Sequence, residues 1–266
     1  MNEIDKKLHE EIHKNMMTID PDKIFSQRVN VFETVNKRIN VKPHGKVIDI
    51  GCGNGYASIW IAKNYSVHKV FALEASEEAI DELLPRNIQH HNVADIVSPL
   101  KGSFDDLPFK SEVDYIVSFG ALHHSTCLLS TMRSISNSLT NGGYLVAQEP
   151  VMPNDTSNQE YIEKYNIKET RYGIEMKNGD RYDRFFREAE YIAAAAFSGL
   201  DLVMYEEYKP TSYISRLKNI LRNLLIKIGI KHDSRKYFHQ KKVMKKIMVF
   251  KKNEVEYIPH TWKCIQ

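Results

Sequence analysis

A doubly wound α/β architecture, a mostly parallel sheet with helices on both faces, is the fold that this 266-residue sequence predicts. Three observations point to it. Short apolar strands alternate with helical segments between about residues 46 and 150. The first strand runs into a glycine-rich turn that opens a helix, the usual ligand-binding corner of such sheets. Apolar residues at 42% and aromatics at 10% supply enough side chain for one large core.

The elements follow in order. Residues 1–40 read as two helices, the second opening at Asp20-Pro21, an N-cap followed by proline in the first turn. Ile24, Phe25, Val31, Phe32, Val35 and Ile39 keep helical spacing along it. Lys46–Ile50 is a strand, Gly55–Asn64 a helix and Lys69–Leu73 a strand. The next helix starts at Ser76, with Glu77 and Glu78 in a first turn that favours acids. Ile96–Lys101 is a third strand, and Pro99, which has no N–H for a ladder, assigns it to a sheet edge. Asp114–Phe119 is the fourth, followed by a helix with Leu128, Leu129, Met132, Ile135 and Leu139 facing inward. A turn at Asn141-Gly142-Gly143 leads into the fifth strand, Tyr144–Glu149. Helix 184–198 ends at Gly199, a left-handed C-cap candidate. Strand Leu202–Tyr208, a basic amphipathic helix over 212–229 and a strand near Val243–Phe250 complete the reading. The chain is thus expected to be one domain over 1–266, with a cofactor-binding half at 41–150. Two insertions, 151–183 and 210–240, would form a substrate cap or lid.

Composition narrows the function classes. The cysteines Cys52, Cys127 and Cys264 are odd in number and far apart, which suits a reducing compartment and gives neither a disulfide framework nor a metal motif. The N-terminal residues are charged throughout and lack the apolar core of a signal peptide, and no run reaches the length of a membrane span. A cytoplasmic protein is the expectation. From Thr211 to Lys252 thirteen Lys and Arg stand against one acid, Asp233, so this segment faces an anionic surface or solvent.

The segment VIDIGCGNGYAS, Val47 to Ser58, carries the strongest chemical signal. Glycines at 51, 53 and 55 let backbone approach a ligand with no Cβ in the way. A dinucleotide fingerprint asks for glycine or alanine at position 56, where this chain has Tyr56, so nicotinamide chemistry is a distant alternative. Glu74, at the tip of the second strand, is an acid suited to accept the hydroxyls of a ribose. Downstream come GSFDDLPF, Gly102 to Phe109, and DYIVSFGALHH, Asp114 to His124, followed by LTNGGYLVAQEP.

In this order and spacing the four motifs resemble those of class I S-adenosylmethionine (SAM)-dependent methyltransferases, in the small-molecule, type-11-like branch. The likeness covers about 41–150, with the later helix–strand unit and final strand also fitting. It implies a seven-stranded, mostly parallel Rossmann-like sheet with one antiparallel strand near the end, and SAM as cofactor. It implies cofactor contacts from Asp49, Gly51, Cys52, Gly53, Gly55, Glu74, Ala75, Ser103, Phe104, Asp105 and Phe119. Family members carry an acid that meets the adenine amino group where this chain has Ser103. Ser103, Asp105 and Asp106 are therefore the candidates for that work. No metal is expected.

For catalysis the candidates are His123, His124 and Glu149, which sit at the carboxyl ends of the fourth and fifth strands. An imidazole can take the proton of a hydroxyl acceptor near neutral pH. The structural alternatives are that a histidine only packs under the following helix and that Glu149 is a solvated strand end. Cys52 fits a small buried filler better than a nucleophile, and His90-His91 fits a surface loop. Tyr161, Tyr165, Tyr172 and Tyr182, with Arg171, Arg181 and Arg184, are candidates for an acceptor pocket. The favoured reaction is methyl transfer to a small-molecule or glycan acceptor, on oxygen, with lipid-linked acceptors included. A nucleic-acid acceptor is the runner-up, supported only by the basic segment; SFGALHH lacks the Asn/Asp-Pro-Pro-aromatic motif of enzymes that methylate amino groups. A SAM-binding partner without catalysis is a third reading. The apolar face Ile214, Leu217, Leu221, Leu224, Leu225 and Ile228 suggests a lid or homodimer element, with a peripheral membrane helix as its rival.

Overall fold

A computed structural model describes residues 29–160, 167–170, 173–176, 185–208 and 244–253. Of the helix expected from Asp20, the described part is α1 (Val29–Ile39), and residues 20–28 lie outside the described residues. The basic helix at 212–229 and the tyrosines and arginines proposed for an acceptor pocket lie outside the described residues.

The strand and helix alternation is as expected. β1 (Gly45–Ile50), α2 (Tyr56–Asn64), β2 (Val67–Glu74), α3 (Leu84–His90), β3 (Val97–Lys101) and β4 (Val113–Phe119) succeed one another. Then come α4 (Leu128–Ser138), β5 (Leu139–Val151), a hairpin of β6 (Ile167–Thr170) and β7 (Gly173–Met176), α5 (Glu188–Ala196), β8 (Leu200–Glu207) and β9 (Met244–Lys252). Seven strands make one sheet in the order β3-β2-β1-β4-β5-β9-β8. β9 runs antiparallel to both of its neighbours, β5 and β8, while the other pairings are parallel.

Side-chain alternation decides which face each strand residue serves. Val47, Tyr115, Val117 and Val146 point to the face covered by α1 and α2. Ile48, Ile50, Ile116, Leu145 and Ala147 point to the opposite face, covered by α4 and by Tyr191 of α5. Both faces are thus apolar and buried, as a parallel sheet requires. Phe32 of α1 closes the first face. It is 2% exposed, and its ring stands edge-on to that of Phe119 at 5.5 Å.

Local chemistry accounts for the departures from the expected boundaries. β3 lies at the sheet edge, with Pro99 opposite Ala72. Ser76 does cap the next helix, its Oγ accepting from the Ala79 N–H at 3.4 Å, but residues 79–83 wind as a π turn before α3. Pro85 explains this: it offers no N–H, and its ring would press on the carbonyl one turn back, so the helix widens just ahead of it. Asn141-Gly142-Gly143 makes no separate turn. It lies within β5, where Gly142 takes φ 79° and the register with β4 shifts between Val113 and Tyr115. α5 starts at Glu188 rather than 184 because Arg187 is its N-cap, the Arg187 N–H donating to Glu190 Oε2 at 2.6 Å. The stretch 151–183, read as an insertion that would form part of a substrate cap or lid, contains the paired strands β6 and β7.

Removing Phe32 would open a cavity between α1 and the sheet. Phe32→Ala should cost about 3–5 kcal/mol of folding free energy, read by chemical denaturation. A loss below about 1 kcal/mol would show that α1 contributes little packing to this face.

Candidate functional site

The glycine turn joins β1 to α2. Gly55, the residue before α2, has no side chain to cap the helix and adopts φ 79°. Asp49, the next-to-last residue of β1, does the capping instead. It is 1% exposed, and its Oδ2 accepts from the Ser58 N–H at 3.0 Å and the Ser58 hydroxyl at 2.7 Å. Asp49, singled out as a cofactor residue, is therefore also the brace of the helix that the turn opens.

Glu74 performs the second tie. Its Oε2 accepts from the Gly53 N–H at 2.9 Å, and its Oε1 from the N–H groups of Ala75 at 2.9 Å and Ser76 at 3.3 Å. The acid at the tip of β2 thus holds the middle of the turn. Gly51 lies against the loop after β4, where a Cβ would fall 2.5 Å from that of Ala121. Gly53 is different: it has φ 57°, and nothing stands within 4 Å of the place a Cβ would take. Its outer face is open beside a carboxylate, which is the shape a nucleoside with free hydroxyls fits. Cys52 is buried, and its N–H donates to the Leu73 carbonyl at 3.0 Å, as suits a filler. Asn87 was not apparent from sequence. Its buried amide donates to the Asn54 carbonyl at 2.9 Å and pins α3 to the turn.

The loop after β3 begins beside Glu74, the Gly102 N–H donating to the Glu74 carbonyl at 3.1 Å. Ser103 is exposed, and its Oγ accepts from the Asp105 N–H at 3.1 Å. Asp105 turns toward α4 and the loop before it. Its Oδ2 accepts from the Thr126 hydroxyl at 2.7 Å and its Oδ1 from the Thr131 hydroxyl. Asp106 is exposed. Phe104 packs partly buried on the α4 face, and Phe119 is 6% exposed against Phe32. A groove of about 520 Å³ lies between this loop and α4, lined by Asp105, Asp106, Lys110 and Arg133 among others and by no residue of the glycine turn.

At the carboxyl end of β5, Glu149 is not the solvated strand end that the sequence left open. It is fully buried, on the side of the sheet shared with Leu145 and Ala147. Its Oε1 accepts from the Ser118 hydroxyl at 2.6 Å, the Ala121 N–H at 3.0 Å and the Leu122 N–H at 3.1 Å. Its Oε2 lies 2.9 Å from His123 Nδ1. Burial by itself would raise the carboxyl's pKa, but the His123 ring, the Ser118 hydroxyl and the Ala121 N–H together outweigh it and hold Glu149 below its ordinary 4.5. An ionised carboxylate has no proton to give, so His123 Nδ1 is the donor, and in the neutral ring the lone pair then lies on Nε2.

His123 and His124 share one short 3₁₀ turn (Leu122–His124), with ring centroids 4.1 Å apart. The His123 side chain keeps 12% exposure, and Phe185 stacks on it at 6.1 Å. Phe185 is held there because the segment after β5 is sewn to the start of α5. The Met152 N–H donates to the Phe186 carbonyl at 3.0 Å, and the Arg187 guanidinium donates to the Thr156 carbonyl at 2.9 Å. The polypeptide beyond β5 thus returns over the histidine turn. Among the described residues no cluster of His, Cys, Asp and Glu could hold a metal ion, and no helix is long and apolar enough to cross a membrane.

Comparison with known proteins adds the following. A family model described as "Methyltransferase domain" matches residues 41–190. The chain is 36% identical over 88 residues to protein arginine N-methyltransferase 2 of Dictyostelium discoideum, covering 33% of this chain and 16% of that protein. It is 30% identical over 115 residues to the tRNA U34 carboxymethyltransferase of Vibrio cholerae, covering 41% of this chain and 33% of that protein. The match therefore spans a third or less of the length of these relatives. Among solved structures, geranyl diphosphate C-methyltransferase from Streptomyces coelicolor, in complex with Mg2+, geranyl diphosphate and S-adenosyl-L-homocysteine, shares the fold. The TM-score is 0.64 at 15% identity, covering 85% of this chain and 79% of that one.

The depressed pKa of Glu149 has a measurable consequence. A carboxyl whose pKa falls on folding adds stability above its unfolded value and loses it as pH drops through the folded one. The stability gap between wild type and Glu149→Gln should be widest near neutral pH and narrow as pH falls below 4.5. A gap independent of pH in denaturation series would mean that Glu149 is not ionised in the fold.

Proposed function

We propose, for a chain that belongs to the methyltransferase domain family and to the class I SAM-dependent methyltransferases of Rossmann-like fold, that it transfers the methyl group of SAM to an oxygen of a small-molecule or glycan acceptor. The observation that carries the reading is the His123–Glu149 pair, a buried carboxylate 2.9 Å from an imidazole at the carboxyl edge of the sheet. Ligands of open α/β sheets sit at that edge.

The residues fit the cofactor. The open face of Gly53 and the carboxylate of Glu74 suit a ribose, and the loop from Gly102 to Asp106, which starts beside Glu74, suits an adenine. SAM carries a methyl group that is already electrophilic on a positive sulfur, so alignment is the protein's main contribution and supplies several kcal/mol. His123 accepts the hydroxyl proton of the acceptor at Nε2 while the new oxygen–carbon bond forms and the methyl–sulfur bond breaks. Glu149 stays ionised throughout and stabilises the imidazolium that results. This assigns Glu149 a positioning role behind His123, with no contact to the acceptor, and leaves His124 as a wall of the same turn. A thiolate or carboxylate acceptor would need no base, so the pair supports a hydroxyl.

A second reading has specific support. Curated relatives include a tRNA-modifying enzyme by name, and Thr211 to Lys252 is strongly basic. An RNA acceptor would bind with affinity falling steeply as salt rises. Gel shift with tRNA at low and physiological salt separates the two, since binding that survives physiological salt would favour RNA.

Calorimetry with S-adenosylhomocysteine and NAD tests the cofactor. The former should bind and the latter should not, and Glu74→Ala should weaken the former by about 1–3 kcal/mol. NAD binding without S-adenosylhomocysteine binding would overturn the assignment. A screen of extract fractions with methyl-labelled SAM then finds the acceptor. With that acceptor, His123→Ala should keep cofactor affinity and lose roughly 100-fold or more in turnover. Glu149→Gln should fall with it, because an amide N–H would face Nδ1 and move the ring proton to Nε2. Full turnover in both variants would remove His123 as base.

A further inference from the structure

The loop after β3 and the histidine turn belong to different segments of the chain, yet one polar network joins them. Asp105 accepts from the Thr126 hydroxyl at 2.7 Å and from the Thr131 hydroxyl. Thr131, fully buried in α4, also lies 2.7 Å from the hydroxyl of Ser125, which is equally buried. Ser125 directly follows His124, and its N–H closes the 3₁₀ turn on the Leu122 carbonyl at 3.0 Å.

The proton count gives this network a direction. A hydroxyl has one proton, and a carboxylate near neutral pH only accepts. Thr131 therefore donates to Asp105, with the Cys127 carbonyl one turn back a longer second acceptor at 3.2 Å, and Ser125 donates to Thr131. The chain of donors runs from the residue behind the histidines to the acid in the cofactor-side loop. The same loop is tied to α4 a second time, the Leu107 N–H donating to Ser134 Oγ at 2.8 Å. At its other end it starts on the Glu74 carbonyl. Movement of either loop must break a charge-assisted bond at Asp105.

We infer that Asp105 is a positioning residue for the histidine turn: through Thr131 and Ser125 it sets His123 and His124 according to the state of the loop that would meet the adenine. The inference rests on the assignment of that loop to the cofactor, and it moves Asp105 from a cofactor contact to the link between cofactor and base. Each of its oxygens accepts from a threonine, and Ser103, Asp106 and backbone stand beside it as the other candidates for the adenine amino group.

The test uses the full chain with ¹⁵N-labelled histidine and needs no acceptor. Side-chain spectra of wild type, Thr131→Val, Thr131→Ser and Asp105→Asn are recorded alone and with adenosine, which carries base and ribose but nothing that reaches toward the histidines. In wild type, adenosine should shift the His123 and His124 ring signals. Thr131→Val keeps the shape of the side chain without the hydroxyl, and the shift should vanish. Thr131→Ser should restore it, and Asp105→Asn should behave like Thr131→Val, which covers the case that the valine variant does not fold. S-adenosylhomocysteine affinity, measured by calorimetry, should stay within about threefold of wild type in the Thr131 variants. A histidine response that persists in Thr131→Val and in Asp105→Asn, or a tenfold loss of S-adenosylhomocysteine affinity in Thr131→Val with no change in the ligand-free histidine signals, would overturn the inference. Absence of nucleoside binding in wild type would instead overturn the cofactor assignment, and the coupling with it.

Discussion

Taking a carboxylate fully out of water costs several kcal/mol unless its lone pairs are met. Glu149 is met by four donors that come from the end of β4, from the loop after it and from the histidine turn. That requirement organises the carboxyl edge of the sheet. β4 and β5 must be in register, so that Ser118 stands opposite Ala147 and Ser118 Oγ can reach Glu149 Oε1. The loop must fold back so that two backbone N–H groups converge on one oxygen, and this curls Leu122–His124 into its tight turn. With those bonds made, the remaining oxygen has one place to go, the Nδ1 of His123. The donor role of His123 Nδ1 thus follows from the burial of an acid one strand away.

The glycine turn is built by the same means on the other side of β1. Asp49 accepts through one oxygen from the Ser58 N–H and hydroxyl at the start of α2, and Glu74 through both oxygens from backbone N–H groups across the middle of the turn. The turn is preorganised before any ligand arrives, and only the face of Gly53 stays open. Ala121 bridges the two systems: its N–H reaches Glu149 while its Cβ lies against Gly51. Residues proposed to hold the cofactor and residues proposed to move a proton therefore stand on adjoining loops of one sheet, with Asp105 linking a third loop to them.

Fold and acceptor are separate matters in this architecture. The relatives reported above are named for arginine and for tRNA, and the solved structure for geranyl diphosphate. In this chain the carboxyl edge carries the His123–Glu149 pair and Phe185, brought over it by the Arg187 clasp.

Much of the fold was legible in the residues themselves. Alternating strands and helices, the edge position of β3 from Pro99, the glycine turn and Glu74 at the strand tip all follow from local patterns, because propensity, periodicity and turn chemistry act over a few residues. The motifs likewise pointed to the histidine turn and to Glu149. Other features depended on partners distant in sequence, which no local pattern encodes. Whether Glu149 meets solvent or histidine depends on how β4 pairs with β5, 31 residues away at Ser118. That Asp49 caps α2, that Asn87 pins the turn and that Asp105 turns toward Thr131 are likewise choices made only when separate segments pack and buried polar atoms seek partners. The sequence determined which chemical groups arrive at the carboxyl edge of the sheet; the tertiary structure decided which of them pair with each other and which face the ligand, because a hydrogen bond needs both its ends in one place.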